Sequence, residues 1–243
     1  MNTHFQELDW RPTPIGPISL RRRRILSLDE DVYEIMLGDE HLMSSLFTAS
    51  EVALARLTLK ARAGDGLDVV VGGLGLGYTA AAVLEHSSVS SLLVIEMLQP
   101  VIDWHAEGLV PLRPGLAEDC RCRIVAGDFF GLAESPEGFD PDRPDRRFDA
   151  ILIDIDHTPD WHLDARSEGF YSAEGFTRLA GHLKPGGVMG LWSDAAPDEG
   201  FLARMGEVFA DCRAEPVTFE NPLQPGRTAT QTVYLGLGLD AEV

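Results

Sequence analysis

The chain has 243 residues, 39 acidic against 20 basic side chains, a formal net charge of −19, and 44% hydrophobic and 24% charged residues. This describes one large α/β domain with an appendage, not a disordered or fibrous chain. The negative charge repels nucleic-acid phosphates and anionic lipid, so neither nucleic acid nor membrane is expected as a partner.

No apolar run approaches bilayer length, and the first ten residues lack the basic start and apolar core of a secretory leader. Cys120, Cys122 and Cys212 form no CxxC pair and have no metal-ligand spacing. They read as reduced thiols in a cytoplasmic protein with no metal site.

In chain order, residues 1–17 carry Pro12, Pro14, Gly16 and Pro17 and read as an irregular arm. Ile18–Leu28, Val32–Leu37 and His41–Phe47 read as short strands of a small antiparallel N-terminal β region. The run Arg21–Arg24 reads as alternate arginines on a wet strand face or as contacts to a partner subunit, in preference to a phosphate patch. The expected division is residues 1–50 for this region and 51–243 for the main domain. A helix over Glu51–Ala61, capped by Thr48 or Ser50, opens the latter with an apolar side of Val52, Leu54, Ala55, Leu57 and Leu59.

The organising stretch is Leu67–Glu96. Asp68–Val71 reads as a buried parallel strand, Tyr78–His86 as a helix, and Leu92–Ile95 as a second strand with Glu96 at its carboxyl end. Between the first strand and the helix lie Gly72, Gly73, Gly75 and Gly77. Glycines there let the backbone turn tightly and approach a ligand, while an acid about twenty residues on can hold ribose hydroxyls. A helix at Pro100–Glu107 follows, then a strand at Cys122–Ala126 ending in Gly127-Asp128, a short helix at Phe129–Ala133, and an exposed loop at Glu134–Arg147. Phe148–Ile153 is a buried strand running into Asp154-Ile155-Asp156-His157. The connection 158–172, with Trp161, His162, Phe170 and Tyr171, reads as a lid, with Phe170 and Tyr171 packing it on the sheet as the plainer alternative.

A helix at Ala173–Leu183, a tight turn at Lys184–Gly187, a fifth strand at Val188–Trp192 and a helix at Gly200–Ala210 come next. Arg213–Glu220 and Gln231–Leu237 read as an antiparallel pair. The alternation of strands and helices predicts a mostly parallel sheet with helices on both faces, and ligands of such sheets lie outside the strand carboxyl ends. That rule gathers the glycine loop, Glu96, Asp128, Asp154, Asp156, His157 and Asp194 along one edge. Asp194 alone reads better as a cap or a solvated loop residue.

The pieces V-V-V-G-G-L-G-L-G, V-I-E, R-I-V-A-G-D, F-D-A-I-L-I-D, E-G-F-Y-S-A-E-G-F and L-K-P-G-G occur in this order from about Ile18 to the C-terminus. In them the chain resembles the class I, Rossmann-like S-adenosylmethionine-dependent methyltransferase fold, and within it the spermidine synthase family. The resemblance implies that Gly73, Gly75 and Gly77 pass under the methionine-derived part of the cofactor. It implies that Glu96 takes the ribose, Asp128 the adenine amine with Phe129 near the ring, and that Asp154 receives a proton from the attacking amine. It also implies a homodimer or tetramer, of which the homodimer is the expectation.

Two departures stand out. The family loop is G-G-G-D-G-G, and Gly75 stands where its acid should be. The family also has D-S-S-D after the strand, where this chain has D-I-D-H, so His157 takes the second acid's position and Asp156 is displaced by one. Carboxylates that would grip cationic amines are absent or moved, and an unpaired buried ammonium is costly. The expectation is therefore methyl transfer from S-adenosylmethionine to a small acceptor, with Asp154 as proton acceptor and Asp156 or His157 behind it. The alternative is aminopropyl transfer from decarboxylated S-adenosylmethionine to an amine, with substitute acids such as Asp156. A non-catalytic nucleoside-binding protein is the second alternative.

Overall fold

The computed structural model describes residues 4–112, 114–155, 158 and 169–239. Asp156, His157, Trp161 and His162, together with most of the expected lid, lie outside them.

Two sheets organise the chain. The first has the order β1-β2-β3-β4 and is antiparallel throughout, formed by β1 Phe5–Thr13, β2 Gly16–Ile25, β3 Glu30–Leu37 and β4 Glu40–Ser44. The expected irregular arm is in fact β1. As an edge strand it pairs only with β2, so Pro12, opposite Pro17, costs no ladder bond to a second neighbour. The run Arg21–Arg24 is absorbed within this sheet, Arg21 facing Glu7, Arg22 Gln6, Arg23 Glu34, and Arg24 both Asp29 and Asp31.

The second sheet has seven strands in the order β10-β11-β9-β8-β5-β6-β7. They are β5 Leu67–Gly72, β6 Val89–Glu96, β7 Cys122–Ala126, β8 Phe148–Ile153, β9 Leu183–Ser193, β10 Phe209–Glu220 and β11 Thr228–Leu239. Five are parallel, and β10 and β11 close one edge antiparallel. The helices are α1 Ala49–Ala61, α2 Tyr78–Leu84, α3 Gln99–Ala106, α4 Phe129–Glu134, α5 Ala173–Ala180 and α6 Glu199–Met205.

Strand alternation sends side chains to two core layers. Val69, Val71, Leu92, Val94, Ala150 and Leu152 face one layer, which also takes Ile18, Leu20 and Ile35 from the first sheet. Val70, Leu93, Ile95, Ile151 and Ile153 face the other, where Phe129, Phe139, Phe148, Phe170 and Phe176 pack.

Residues Lys184–Gly187, expected as a turn, are a bulge inside β9. The register with β8 jumps from Phe148↔Leu183 to Ala150↔Val188, and Gly186 takes a φ of +72°. Lys184 gains two carboxylate partners there, which a free turn would not offer. Phe170 and Tyr171 are buried against Phe130 of α4 and against Phe176 of α5 or Phe201 of α6, the plainer packing role.

Candidate active site

The strand order reverses between β5 and β8, and the cleft opens at their carboxyl ends, where an α/β sheet offers a crevice. It encloses about 1220 Å³ of space open to solvent and is floored by Gly73, Leu74 and Gly75. Glu96, Asp128, Phe129 and Asp154 line it, and the first sheet adds Ile18, Ile35, Leu42 and Met43. Glu51 and Trp192 complete the wall near Asp154.

The loop needs its glycines. Gly73 has φ +90°, and a Cβ there would lie 2.0 Å from the Asp154 carbonyl oxygen. Gly77 has φ +91°, with His105 and Leu116 pressed against it. At Gly75, φ +47°, a Cβ would stand 2.6 Å from the Met43 sulfur, which also receives the Leu76 N–H at 2.9 Å. Met43 therefore fills the space that a side chain on the loop would use. Buried His105 donates Nε2–H to the Gly75 carbonyl (2.9 Å), and burial holds its imidazole below the usual range.

Glu96 is 9% exposed, and its two oxygens accept the backbone N–H groups of Leu74 (3.0 Å) and Leu98 (2.8 Å). Burial pushes its carboxyl up, against the pull of those N–H groups. Its wall position suits a ribose, and the same carboxylate ties the glycine loop to the end of β6. Asp128 caps α4, accepting Phe130 N–H at 3.1 Å, and Phe129 stacks on Phe139 with ring centroids 4.8 Å apart. Asp194 is exposed, accepts from Gln231 Nε2 at 2.5 Å, and does not line the cleft; Asp198 caps α6 instead.

Asp154 sits where β8 ends. Its N–H donates to the Gly72 carbonyl (2.9 Å), and Oδ2 accepts from Thr79 Oγ1 (2.5 Å). Burial pushes its carboxyl up to about 6, although Thr79 pulls the other way. Beside it is Glu51, 7% exposed on the first turn of α1. Burial and the neighbouring Asp154 push Glu51 up to about 8. Neither carboxylate makes an ion pair among the described residues.

Glu51 escaped the sequence reading, although a signal was present. The buried side of α1 is Ser50, Glu51, Leu54, Ala55, Thr58 and Leu59, so an acid falls on the helical stripe that faces the core. Met43 and Thr79 had no comparable signal.

No family model matches the chain. In sequence it is similar to the polyamine aminopropyltransferase of Pyrobaculum islandicum, at 26% identity over 122 residues, 50% of this chain and 39% of that protein. Polyamine aminopropyltransferase 2 of Pseudomonas aeruginosa is 24% identical over 157 residues, 62% of this chain and 42% of that protein. The matches thus span well under half the length of these curated relatives. In structure the chain is similar to spermidine synthase of Thermotoga maritima, with TM-score 0.72 and 18% identity, covering 97% of this chain and 74% of that one.

A spermidine synthase complexed with the transition-state analogue AdoDATO gives TM-score 0.73 at 18% identity, covering 97% of this chain and 75% of that one. Human methyltransferase-like protein 13 in complex with SAH gives 0.53 at 18%, covering 80% of each. The chain shares the class I methyltransferase-like fold with these neighbours, and in sequence it is similar to polyamine aminopropyltransferases. The expectation of methyl transfer does not stand. The sequence relatives are aminopropyltransferases, and the methyltransferase-like neighbour is the more distant in structure.

Proposed function

We propose that this chain is a transferase of the polyamine aminopropyltransferase type, using decarboxylated S-adenosylmethionine as donor and a small amine as acceptor. One observation carries the reading. The glycine-loop cleft at the sheet's reversal point is lined by two carboxylates, buried Glu51 and half-buried Asp154, with no cation beside them among the described residues. Carboxylates of this kind call for a cationic guest. The likeness to polyamine aminopropyltransferases supports the same class of guest.

The residues present fit such a donor. The backbone of Gly73–Gly75 comes close to the cleft because no Cβ intervenes, Glu96 and Asp128 stand along the nucleoside side, and Phe129 and Phe130 line its wall. The donor supplies a sulfonium: an amine nitrogen bonds to the aminopropyl carbon, the C–S bond breaks, and the sulfur keeps the electron pair as neutral methylthioadenosine. The chain's part is to align the nitrogen and take its proton. Asp154 fits the second task, being half-buried, held by Thr79 at one oxygen, and pushed up to about 6 where it still ionises at neutral pH. A homodimer and a cytoplasmic location complete the proposal. Exposed Phe5 and Trp10 on the edge strand β1 support the first, and free Cys120, Cys122 and Cys212 support the second.

The test is a parallel assay with decarboxylated S-adenosylmethionine and with S-adenosylmethionine, over putrescine and a panel of longer diamines. Methylthioadenosine should form from the decarboxylated donor in the presence of an amine. Its absence with every amine at saturating donor overturns the proposal.

A further inference from the structure

Four carboxylates line the cleft, and they are not equally free. Glu96 is committed to two backbone N–H groups and Asp128 caps a helix. The loop itself offers no acid, since Met43 occupies the space beside Gly75. Glu51 and Asp154 remain, together, at the apolar end formed with Ile18, Ile35 and Trp192.

The hydrogen bonds around Glu51 fix where a proton lies. Asp194, a carboxylate, offers only acceptors, so Gln231 must turn its NH₂ to it (Nε2 to Oδ1, 2.5 Å). That leaves Gln231 Oε1 facing Ser50 Oγ at 2.5 Å, and Ser50 must spend its single proton there. Ser50 Oγ also lies 2.9 Å from Glu51 Oε2, and with its proton already used it can only accept. Every contact in the chain Glu51–Ser50–Gln231–Asp194 is satisfied when the Glu51 carboxyl is the donor. Ionised Glu51 would leave two oxygens facing each other with no hydrogen between them. Burial beside Asp154 favours the same protonated form. Among the described residues, besides Asp154 and Asp194, the charged or titratable group acting on Glu51 from a neighbouring element is Tyr78 of α2; Thr79, on the same helix, is neutral.

We propose that Glu51 and Asp154 form one seat for the primary ammonium of the donor's aminopropyl arm, with Glu51 carrying a proton in the empty cleft and releasing it when the ammonium enters. The assignment rests on the transferase reading above and adds to it a binding residue on α1.

Two nucleosides, of which only the second carries an amine, test this: 5′-methylthioadenosine and 5′-(3-aminopropylthio)adenosine. Each is titrated calorimetrically into the full chain at pH 7 in buffers of different ionisation enthalpy. The amine nucleoside should release close to one proton more than the neutral one. Glu51→Gln should abolish that difference and weaken the amine nucleoside about 10- to 100-fold. Methylthioadenosine should bind the variant within about threefold of wild type, which also reports that the variant is folded. Equal proton release by the two ligands, or equal effects of Glu51→Gln on both, overturns the Glu51 assignment and leaves the nucleoside site standing. Binding of neither ligand to the wild-type chain overturns the transferase reading and the Glu51 assignment together.

Discussion

The two ends of the parallel sheet treat buried acids in opposite ways. At the amino ends, Asp68 and Asp149 share Lys184 at 2.7 Å each, Arg62 reaches Asp149 at 2.9 Å, and Arg146 bridges Asp68 and Asp140 at 2.7 and 2.8 Å. Burial alone would raise these carboxyls, but the cations prevail: Asp68 and Asp140 are each held down to about 2, and Asp149 is lowered too. At the carboxyl ends, half-buried Asp154 and buried Glu51 meet no cation among the described residues, and both rise. The amino-end acids also feel desolvation, but there the fold supplies the counter-charge, and among the described residues the cleft acids have none. Acids that serve the fold are neutralised within it. Those at the cleft wait for a charge from outside.

The largest expected effect on this contrast comes from Asp154→Asn. Turnover should fall by about 10²- to 10⁴-fold, the range for losing a positioned proton acceptor. Methylthioadenosine affinity, read by calorimetry, should stay near wild type; full activity would remove Asp154 from the chemistry.

A pH titration of stability comes next. Glu51 has its ordinary value, 4.5, in the unfolded chain and about 8 in the fold, so the folded state binds its proton more tightly. The resulting stabilisation is complete below about 4.5 and is lost as pH rises through about 8, on the order of a few kcal/mol in all. Asp154 adds a loss of the same sign from its ordinary value, 3.8, to about 6. Urea denaturation of the empty protein from pH 5 to pH 8 should show the decline, and Glu51→Gln should flatten its upper part. The amino-end acids have the opposite sign: with folded values near 2, Asp68 and Asp140 give stability that is present above about 4 and lost as pH falls through 2.

Gly73→Ala should cost about 1–3 kcal/mol of stability, because a left-handed φ and a backbone oxygen 2.0 Å from the new Cβ both oppose it. It should also displace Asp154 and weaken the nucleoside; unchanged binding would show that the loop does not floor the site. The smallest effect is expected from Lys184→Met. Its side chain is 35% exposed, and Arg62 and Arg146 still serve Asp149 and Asp68, so denaturant titration should read about 1 kcal/mol or less. Nucleoside affinity should not change, since Lys184 is at the far end of the sheet.

Much of this arrangement was legible from residue order. The strands Cys122–Ala126 and Phe148–Ile153 are observed with the expected limits, because each is a short apolar run bounded by Gly, Asp or charge. The β-α-β alternation gave the parallel pairing, whereas the reversal of strand order between β5 and β8 is seen only in the fold. Where the reading failed, the cause was non-local. Residues 1–17 read as an arm because of Pro12, Pro14, Gly16 and Pro17, yet β2 supplies Phe5–Thr13 with a ladder on one side, and an edge strand tolerates the missing donor at Pro12. Lys184–Gly187 reads as a turn, yet Asp68 and Asp149 hold it as a bulge.

The sequence by itself determined the parallel sheet, the glycine loop and the row of acids at the strand ends, since these depend on local periodicity and on backbone freedom at single residues. Only the tertiary structure decided which of those acids are already engaged. It spent Glu96 on the loop and Asp128 on a helix, put Met43 where a loop side chain would sit, and brought Glu51 from α1 against Asp154 from β8. The physical reason is that a carboxylate's charge state is set by what surrounds it in space, and residues far apart along the chain become neighbours only when the sheet closes around the cleft.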